Sequence, residues 1–561
     1  MENVKSLQLR FQNKIQENNA KKLRILYIIL IAVLLFIISL TIKGCVSLWY
    51  WKNHAPLGSN WEWFWSIYGG TWNWEDPVGI FGHVYEGETW YLETYVDAKH
   101  YYLDYLQSFR FENWNPYAGG TYPTDPLNGY AYGPMFIFGI YLISIIISVL
   151  YPNMSMEHLV AFSVKWTHIV FDCLCVVMVY LIIVLLKKFK YNEVKRQLYG
   201  VVAAVLFTWM PINLIYVDSA FLNTPQMTFF TLLSLLLMIK EKYRVGAFIL
   251  SIAWLSKQMP LFLLIPWFFI VWRKKGMKTA FVEFLIPFLL TTVIISLPWF
   301  IMTPYPYLRK VFGPGAPFEN FDPAEAFNQN GATVILSHSF LYLENEKLAE
   351  FYFNINNYMI PFLLFYILVV LFAYFGGKIM GDDESQFIIF STWTIIGTHV
   401  FISRGIYKYY NAFITPFVVL SLLVFFDDLV PKLTKKIPLI ISKSMKEKKG
   451  DLKEEKLNQD KTLSAIILFL TFIGFNLLFY YFNWVLIKNI RFLHPLYLLI
   501  LFVVVSLLLH PSLAISFTKE QNYDSLSEDL GTIVGTVEQI TDKVAEKTEN
   551  FIEKLANWRL K

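Results

Sequence analysis

Apolar segments long enough to cross a bilayer follow one another along this chain, and they constrain its fold more than any other feature. A transmembrane helix needs about 20 apolar residues, because every backbone polar group must be hydrogen-bonded within the segment. Such segments follow residue 24 and recur at 159–186, 197–215, 225–239, 244–256, 259–272, 280–302, 357–375, 386–402, 411–426, 462–482 and 492–510. The pattern predicts an all-α polytopic membrane protein with about twelve transmembrane helices.

The composition argues against a soluble enzyme, a disulfide-rich domain and a Cys-rich metal protein. Hydrophobic residues make up 56% of the 561 residues and charged residues only 16%, against roughly 25% in a soluble domain. The three cysteines, Cys45, Cys173 and Cys175, lie in or beside apolar segments, so a disulfide framework and a Cys-rich metal site are both excluded. We expect no nucleic-acid partner, since the basic residues cluster between apolar segments as topology signals. We also expect no metal and no cofactor, because no His/Cys spacing is typical of a metal site and no Gly-rich phosphate loop is convincing.

The distribution of charge predicts the sidedness of the chain. Residues 1–24 carry six basic residues against two acidic ones, which places the N-terminus in the cytoplasm. The loop from Gly44 to Tyr132 carries ten acidic residues against three basic ones and therefore suits the outer face. We expect both termini in the cytoplasm, in a multi-pass protein of the plasma membrane or the endoplasmic reticulum.

The segment Gly133–Leu150 allows two interpretations. It is apolar for some 17 residues and short for a full span. If it crosses the membrane, the basic runs near Lys187 and Arg273 lie outside. If it is an interfacial or re-entrant helix of the outer loop, every basic run lies in the cytoplasm, and we favour this interpretation.

These features divide the chain into five parts. A basic cytoplasmic N-terminus at 1–24 precedes the main membrane module at 25–430, whose outer loops are 44–158 and 303–357. The remaining parts are a Lys-rich cytoplasmic linker at 431–461, two transmembrane helices within 462–510, and a cytoplasmic amphipathic helix within 511–561. The apolar stripe of that tail suits the membrane surface, the ends of the spans or a partner that the sequence does not identify.

Chemistry in the first outer loop centres on Asp97. Asp97 and Tyr101 are four residues apart, so on a helix they share a face. A carboxylate held near the bilayer is a suitable general base for an acceptor hydroxyl. The alternative is a helix cap or an ion pair with Lys99 or Arg110.

Two polar elements interrupt the middle spans. Asp218 lies in the turn between Tyr216 and Pro225, where it either binds a sugar hydroxyl or caps the next helix, and capping is favoured. Lys257 lies between two short apolar segments that we interpret as half-helices. A lysine there needs an anionic partner, either a carboxylate or a lipid phosphate.

A fourth candidate site precedes the span at 411–426. Arg404 and Lys408 are four apart and share a helical face. A guanidinium and an ammonium together form a phosphate clamp. Interfacial anchoring by snorkelling side chains is the alternative.

The layout over residues 25–430 resembles the GT-C superfamily of integral membrane glycosyltransferases. The shared features are a first span, an acidic outer loop with an Asp ahead of a Tyr, an aromatic-Gly-Pro interfacial helix, an Asp-bearing second turn and a Lys-Gln-x-Pro element. The resemblance is nearest to the polyprenyl- or dolichyl-phosphate-sugar-dependent mannosyltransferases of the glycosyltransferase 87 and PIG-M-like kind. It implies a GT-C fold with interfacial helices in a long first outer loop.

The resemblance also implies roles for individual residues. Asp97 matches the catalytic carboxylate, although Glu75, Asp76 and Asp104 are alternatives for that place. Lys257, Arg404 and Lys408 would hold the departing lipid phosphate, and Asp218 would help to orient substrate. The other residues expected at the substrate are Tyr101, Tyr102, Asp104 and Gln258.

The implied reaction is an inverting transfer of a hexose from a polyprenyl- or dolichyl-phosphate carrier at the outer face, and mannose is the favoured hexose. The expected partners are that donor, a glycan or glycolipid acceptor, and membrane lipids. The alternative function is a lipid or polysaccharide transporter or flippase. A transporter should keep charged groups near mid-membrane and show repeat symmetry, whereas here the polar groups gather on one side.

Overall fold

The computed structural model describes residues 22–47, 104–111, 115–117, 130, 132–154, 156–187, 193–218, 223–311, 335–375, 383–402, 410–424, 494–503 and 506. These residues are mostly helical, and no strand occurs among them. All of them belong to one compact unit, which ends at Ser506. The predicted N-terminal segment up to residue 21, the Lys-rich linker, the span at 462–482 and the tail helix lie outside the described residues.

We number the described helices α1 to α16 in chain order. The first eight are α1 (Lys22–Ser47), α2 (Asp104–Phe111), α3 (Pro134–Leu150), α4 (Met156–Leu185), α5 (Glu193–Thr208), α6 (Pro225–Ile239), α7 (Tyr243–Ser256) and α8 (Leu264–Lys275). The others are α9 (Met277–Met302), α10 (Pro304–Val311), α11 (Leu336–Tyr342), α12 (Glu346–Asn357), α13 (Ile360–Phe375), α14 (Asp383–Phe401), α15 (Asn411–Val424) and α16 (His494–Val503).

Three described helices are long and apolar enough to cross a membrane on their own: α1, residues Phe162–Leu185 of α4, and α9. A fourth span results if α12 and α13, which meet at an angle of 66°, count as one. Several shorter apolar helices accompany them, α3, α6, α7, α15 and α16 among these. The apolar helices fit a membrane protein, whereas the predicted number of twelve spans is not confirmed.

Ion pairs and hydrogen bonds bring the ends of several helices together at one end of the bundle, which we call the basic end. Lys240, directly after α6, donates to the carbonyl of Leu185 at the end of α4 and lies 3.9 Å from Glu384 at the start of α14. Glu241, which precedes α7, pairs with Lys275 at the end of α8 at 2.8 Å. Thus α4, α6 and α8 end at the basic end, and α7 and α14 start there.

Lys257 lies at the opposite end of α7, and the lengths of the helices place it below the surface of the bundle. The 14 residues of α7 span about 21 Å, less than the roughly 30 Å thickness of the hydrocarbon core. By contrast, the 30 residues of α4 span about 45 Å, so α4 extends well beyond the level of Lys257. The tip of the α7–α8 hairpin is therefore recessed.

Helix α3 lies alongside the part of α4 that extends beyond this hairpin. At the start of α3, Phe136 contacts His168 of α4, and Tyr151, directly after α3, contacts Phe162. Phe138 packs on Trp299 near the end of α9. These contacts place the predicted interfacial helix over the end of the bundle opposite the basic end.

Candidate active site

Lys257 is buried in a polar and aromatic environment at the tip of α7. Its side chain is only 4% exposed, and its Nζ donates to Oδ1 of Asn223 at 2.6 Å. The ammonium lies 4.6 Å from the ring centroid of Tyr410 and 5.9 Å from that of Tyr132. Aromatic faces and an amide oxygen stabilise the cation in a place where water is excluded.

The local sequence explains why the chain turns at Lys257. The backbone leaves helical geometry there, with φ −160° and ψ 150°, and re-enters it through a short 3₁₀ turn over Met259–Leu263. Pro260 suits the start of that turn because its missing N–H has no helical partner to lose. Gln258 Nε2 lies 3.4 Å from the carbonyl oxygens of both Lys310 and Val311, so the turn is joined to α10.

Tyrosines order the chain that covers Lys257. Tyr117 donates its hydroxyl to the carbonyl of Tyr132 at 2.7 Å, and Tyr130 donates to the carbonyl of Gly133 at 3.0 Å. The approach is close, because a Cβ added at Gly133 would lie 1.9 Å from the carbonyl oxygen of Leu255. Only glycine fits between the start of α3 and the end of α7.

Burial keeps these phenols in their neutral form. It raises the pKa of Tyr117 and of Tyr130 well above their usual value, and it raises the pKa of Tyr307 to about 12. Tyr307 donates to Oγ of Ser296 at 2.6 Å, which joins α10 to α9. The hydroxyls therefore serve as hydrogen-bond donors, and that of Tyr117 fixes the backbone of Tyr132, whose ring faces Lys257.

A second buried cluster lies beside the first and joins α1 to α4. Lys43 forms ion pairs with Asp172 and, at 2.9 Å, with Asp218, and all three side chains are at most 1% exposed. Asn213 Nδ2 donates to Oδ1 of Asp172 at 3.1 Å. Asp172 and His168 are four residues apart on α4, and the ring of His168 contacts Phe136, which packs on Tyr132 beside Lys257, so contacts along one face of α4 connect the two clusters.

The structure describes some of the predicted site residues and not others. Lys257 and Gln258 lie at the hairpin tip, and Asp218 lies in the Lys43 cluster. Asp104 is the first residue of α2. Five predicted residues lie outside the described part of the chain: Asp97, Tyr101, Tyr102, Arg404 and Lys408.

Asp218 does not cap the next helix, which was the role that the sequence favoured. The next helix, α6, has Thr224 at its N-cap with no side-chain cap bond, and Asp218 binds Lys43 instead. Lys43 and Asn223 were not predicted as site residues from the sequence. A lysine within a long apolar segment was the available signal for Lys43, since charge at membrane depth calls for a partner.

The middle of the chain is similar to a known protein family. A model of the ALG3 protein family matches residues 150–319. The segment runs from the end of α3 past α10 and includes Asp172, Asp218, Asn223 and Lys257. No curated protein matches the chain significantly.

ALG3 proteins are dolichyl-phosphate-mannose-dependent mannosyltransferases of the GT-C type. The match supports the GT-C superfamily and confirms the prediction that the chain is a glycosyltransferase. Dolichol-linked mannosyl transfer is the activity that the family implies, and its donor and lipid-linked acceptor agree with the kinds of partner predicted.

Proposed function

We propose that the protein transfers mannose from a dolichyl- or polyprenyl-phosphate carrier to a lipid-linked glycan at the outer or lumenal face, with inversion at the anomeric carbon. The observation that carries the proposal is the buried ammonium of Lys257, recessed at the end of the bundle opposite the basic end and lying within the segment that matches the ALG3 family. The matched family is ALG3; the glycosyltransferase 87 and PIG-M-like groups enter only through the sequence resemblance.

The chemistry requires a base and a cationic site for the leaving group. Asp97 takes the proton of the acceptor hydroxyl as that oxygen attacks the anomeric carbon, and the bond between this carbon and the phosphate oxygen breaks. The carrier leaves as a phosphate monoester. Lys257, together with Arg404 and Lys408, stabilises the charge that develops on the phosphate.

Position supports the role of Lys257. A carrier phosphate held by a membrane-embedded lipid chain reaches a recess at the bilayer boundary without leaving the membrane. The ammonium lies in a site with little water, where its electrostatic interactions are stronger than in bulk solvent. Gln258 fixes the hairpin tip to α10. The other residues that we propose at the substrate are Tyr101, Tyr102, Asp104 and Asp218, the last of which also pairs with Lys43.

A transfer assay with the purified chain tests the proposal. The substrates are dolichyl-phosphate-mannose, other lipid-phosphate sugars and a panel of lipid-linked glycans. We expect mannose to be transferred and Asp97→Asn to lose transfer while it still binds the donor. Unchanged transfer by Asp97→Asn would move the base to Glu75, Asp76 or Asp104, which the matching amide variants identify.

The cationic site has its own test. Lys257→Met retains the apolar stem and removes the charge, so donor affinity should fall about tenfold or more, as expected for the loss of a charge-assisted contact. Arg404→Ala should also weaken donor binding. Equal donor affinity in the wild type and both variants would dismiss the phosphate site.

A further inference from the structure

We propose that Asn223 and His399 form a sugar-hydroxyl subsite beside Lys257. Nδ2 of Asn223 donates a hydrogen bond to one hydroxyl of the donor hexose, and Nε2 of His399 accepts one from another. The inference rests on the proposed function, because it places the hexose of the same lipid-phosphate donor next to the ammonium that holds its phosphate.

The orientation of the Asn223 amide is determined by Lys257. An ammonium only donates hydrogen bonds, so the amide oxygen faces Nζ at 2.6 Å and the amide nitrogen faces away. Asn223 is 1% exposed, and its Nδ2 has no hydrogen-bond partner among the described residues. A buried donor without a partner costs free energy until a ligand or water accepts from it.

The tautomer of His399 is determined in the same way. Its Nδ1 lies 2.6 Å from the carbonyl oxygen of Ile395, one turn earlier in α14, and a carbonyl only accepts, so Nδ1 carries the proton. Nε2 of the neutral ring is then an acceptor. His399 is 3% exposed, and Nε2 has no hydrogen-bond partner in the described part of the chain.

Tyr410 connects His399 to the lysine. Its ring lies 4.6 Å from Nζ of Lys257 and 5.8 Å from the ring of His399, measured to the centroids. An unpartnered donor in the turn before α6 thus contacts the ammonium, and an unpartnered acceptor on α14 lies one aromatic ring away from it.

Neighbouring side chains extend the same pattern. Three more buried polar atoms near this place have no hydrogen-bond partner among the described residues: Oγ1 of Thr224, Oε1 of Gln226 and Nδ2 of Asn411. Thr224 adjoins Asn223, Asn411 adjoins Tyr410, and Gln226 reaches Ser256, the residue before Lys257, at 3.5 Å. Native proteins leave few such groups without a hydrogen bond, and the hydroxyls of a ligand or ordered water molecules supply the partners.

The mixture of donors and acceptors distinguishes a sugar from a phosphate. An ionised phosphate diester only accepts hydrogen bonds, so it can satisfy Asn223 but not His399. A hydroxyl both donates and accepts, and a hexose carries several hydroxyls on one rigid ring. A hexose linked to phosphate therefore suits the whole set, with the phosphate at Lys257 and ring hydroxyls at the Asn223 amide and the His399 imidazole.

The test measures the binding of dolichyl-phosphate-mannose, and of analogues that each lack one hydroxyl, to the full chain in nanodiscs. For the wild type, we expect two analogues to bind more weakly than the full donor. The first lacks the hydroxyl that binds His399, and the second lacks the hydroxyl that binds Asn223. His399→Phe retains the ring shape and removes the acceptor, so the affinity ratio of the full donor to the first analogue should shrink by roughly threefold to tenfold. Asn223→Asp keeps an oxygen for Lys257, removes the donor and should shrink the ratio for the second analogue.

Two further variants separate recognition from structure. His399→Gln carries an amide oxygen as acceptor and should restore part of the ratio. Ser391→Ala removes a hydrogen bond to Trp267 from the same helix, α14, and should leave every ratio unchanged. Ratios that stay at wild-type values in His399→Phe and Asn223→Asp would overturn the subsite, even if both variants bind all donors more weakly. A wild type that does not bind dolichyl-phosphate-mannose would instead overturn the proposed function and the subsite with it.

Discussion

Nζ of Lys43 lies 2.9 Å from Oδ2 of Asp218, and this buried contact joins the end of α1 to the turn that precedes α6. The same ammonium also pairs with Asp172 on α4. Because the first outer loop begins directly after α1, Lys43 determines where that loop leaves the bundle.

Removal of the Lys43 charge should destabilise the protein strongly. Lys43→Met leaves the carboxylates of Asp172 and Asp218 buried without their cation, and breaking a buried ion pair in this way costs about 3–5 kcal/mol. The measurement is the thermal unfolding of the purified chain in detergent, which should show a large decrease in Tm.

Matched variants identify the cause. Lys22→Met removes an exposed lysine from the same helix and should leave Tm almost unchanged. The triple variant that combines Lys43→Met with Asp172→Asn and Asp218→Asn neutralises the whole cluster and should recover part of the loss. A triple variant as unstable as Lys43→Met alone would show that packing of the lysine stem, and not charge, stabilises α1.

The sequence predicted local features of this region well and distant pairings poorly. Apolar length and breaks at Pro225 and Lys257 placed two helices at 225–239 and 244–256, and the structure has them at Pro225–Ile239 and Tyr243–Ser256. These boundaries depend on residues close in sequence. Lys43 and Asp172 are 129 residues apart, and no periodicity relates a charge on one span to a charge on another.

The same distinction applies to the candidate site. Lys257 and Gln258 were predicted because a polar pair between two apolar segments is visible in the sequence alone. Asn223 and His399 were missed because an asparagine near a helix start and a histidine in a span are ordinary when read singly. Only the three-dimensional fold shows Asn223 at the ammonium and His399 against Tyr410, which in turn faces that ammonium.

A methyl group at Gly133 should separate α3 from α7. The Cβ of Gly133→Ala would lie 1.9 Å from the carbonyl oxygen of Leu255, a backbone atom that cannot rotate away. Overpacking of this kind costs about 1–3 kcal/mol. It should also move Tyr132 away from Lys257, so donor affinity should fall together with Tm.

Gly44→Ala is the control for this prediction. A Cβ at Gly44 meets nothing within 4 Å, and alanine favours a helix over glycine by about 1 kcal/mol, so this variant should be neutral or slightly stabilising. Wild-type Tm and wild-type donor affinity in Gly133→Ala would contradict the close approach of the two helices.

The ion pairs at the basic end should make a small contribution to stability that depends on pH. The hydrogen bond from Lys275 holds the pKa of Glu241 below its usual value. A carboxyl whose pKa is lowered by folding stabilises the fold above its unfolded pKa, near 4.3, and loses that contribution as pH falls through the lower folded value. Because both side chains are more than a third exposed, the effect should stay well below 1 kcal/mol.

Glu241→Gln tests the origin of that pH dependence. At pH 7 the variant should have a slightly lower Tm than the wild type, and the difference should vanish as the pH is lowered below about 4. A difference that persists unchanged at low pH would assign the effect to the turn geometry at residue 241, where φ is +58°, and not to the charge.

Cysteine labelling tests the predicted sidedness of the chain. Cys173 and Cys175 are buried and should not react. Cys45 is exposed, so the background for labelling is the variant Cys45→Ser. In that background and in sealed membrane vesicles, a membrane-impermeant maleimide should label only one of Ser59→Cys and Ser442→Cys until the vesicles are permeabilised. The expectation follows from the excess of acidic residues in the first outer loop and of lysines in the linker. Labelling of both positions from the same side would mean that an odd number of spans has been misassigned between residues 59 and 442, and Gly133–Leu150 is the segment whose reassignment as a span would account for it.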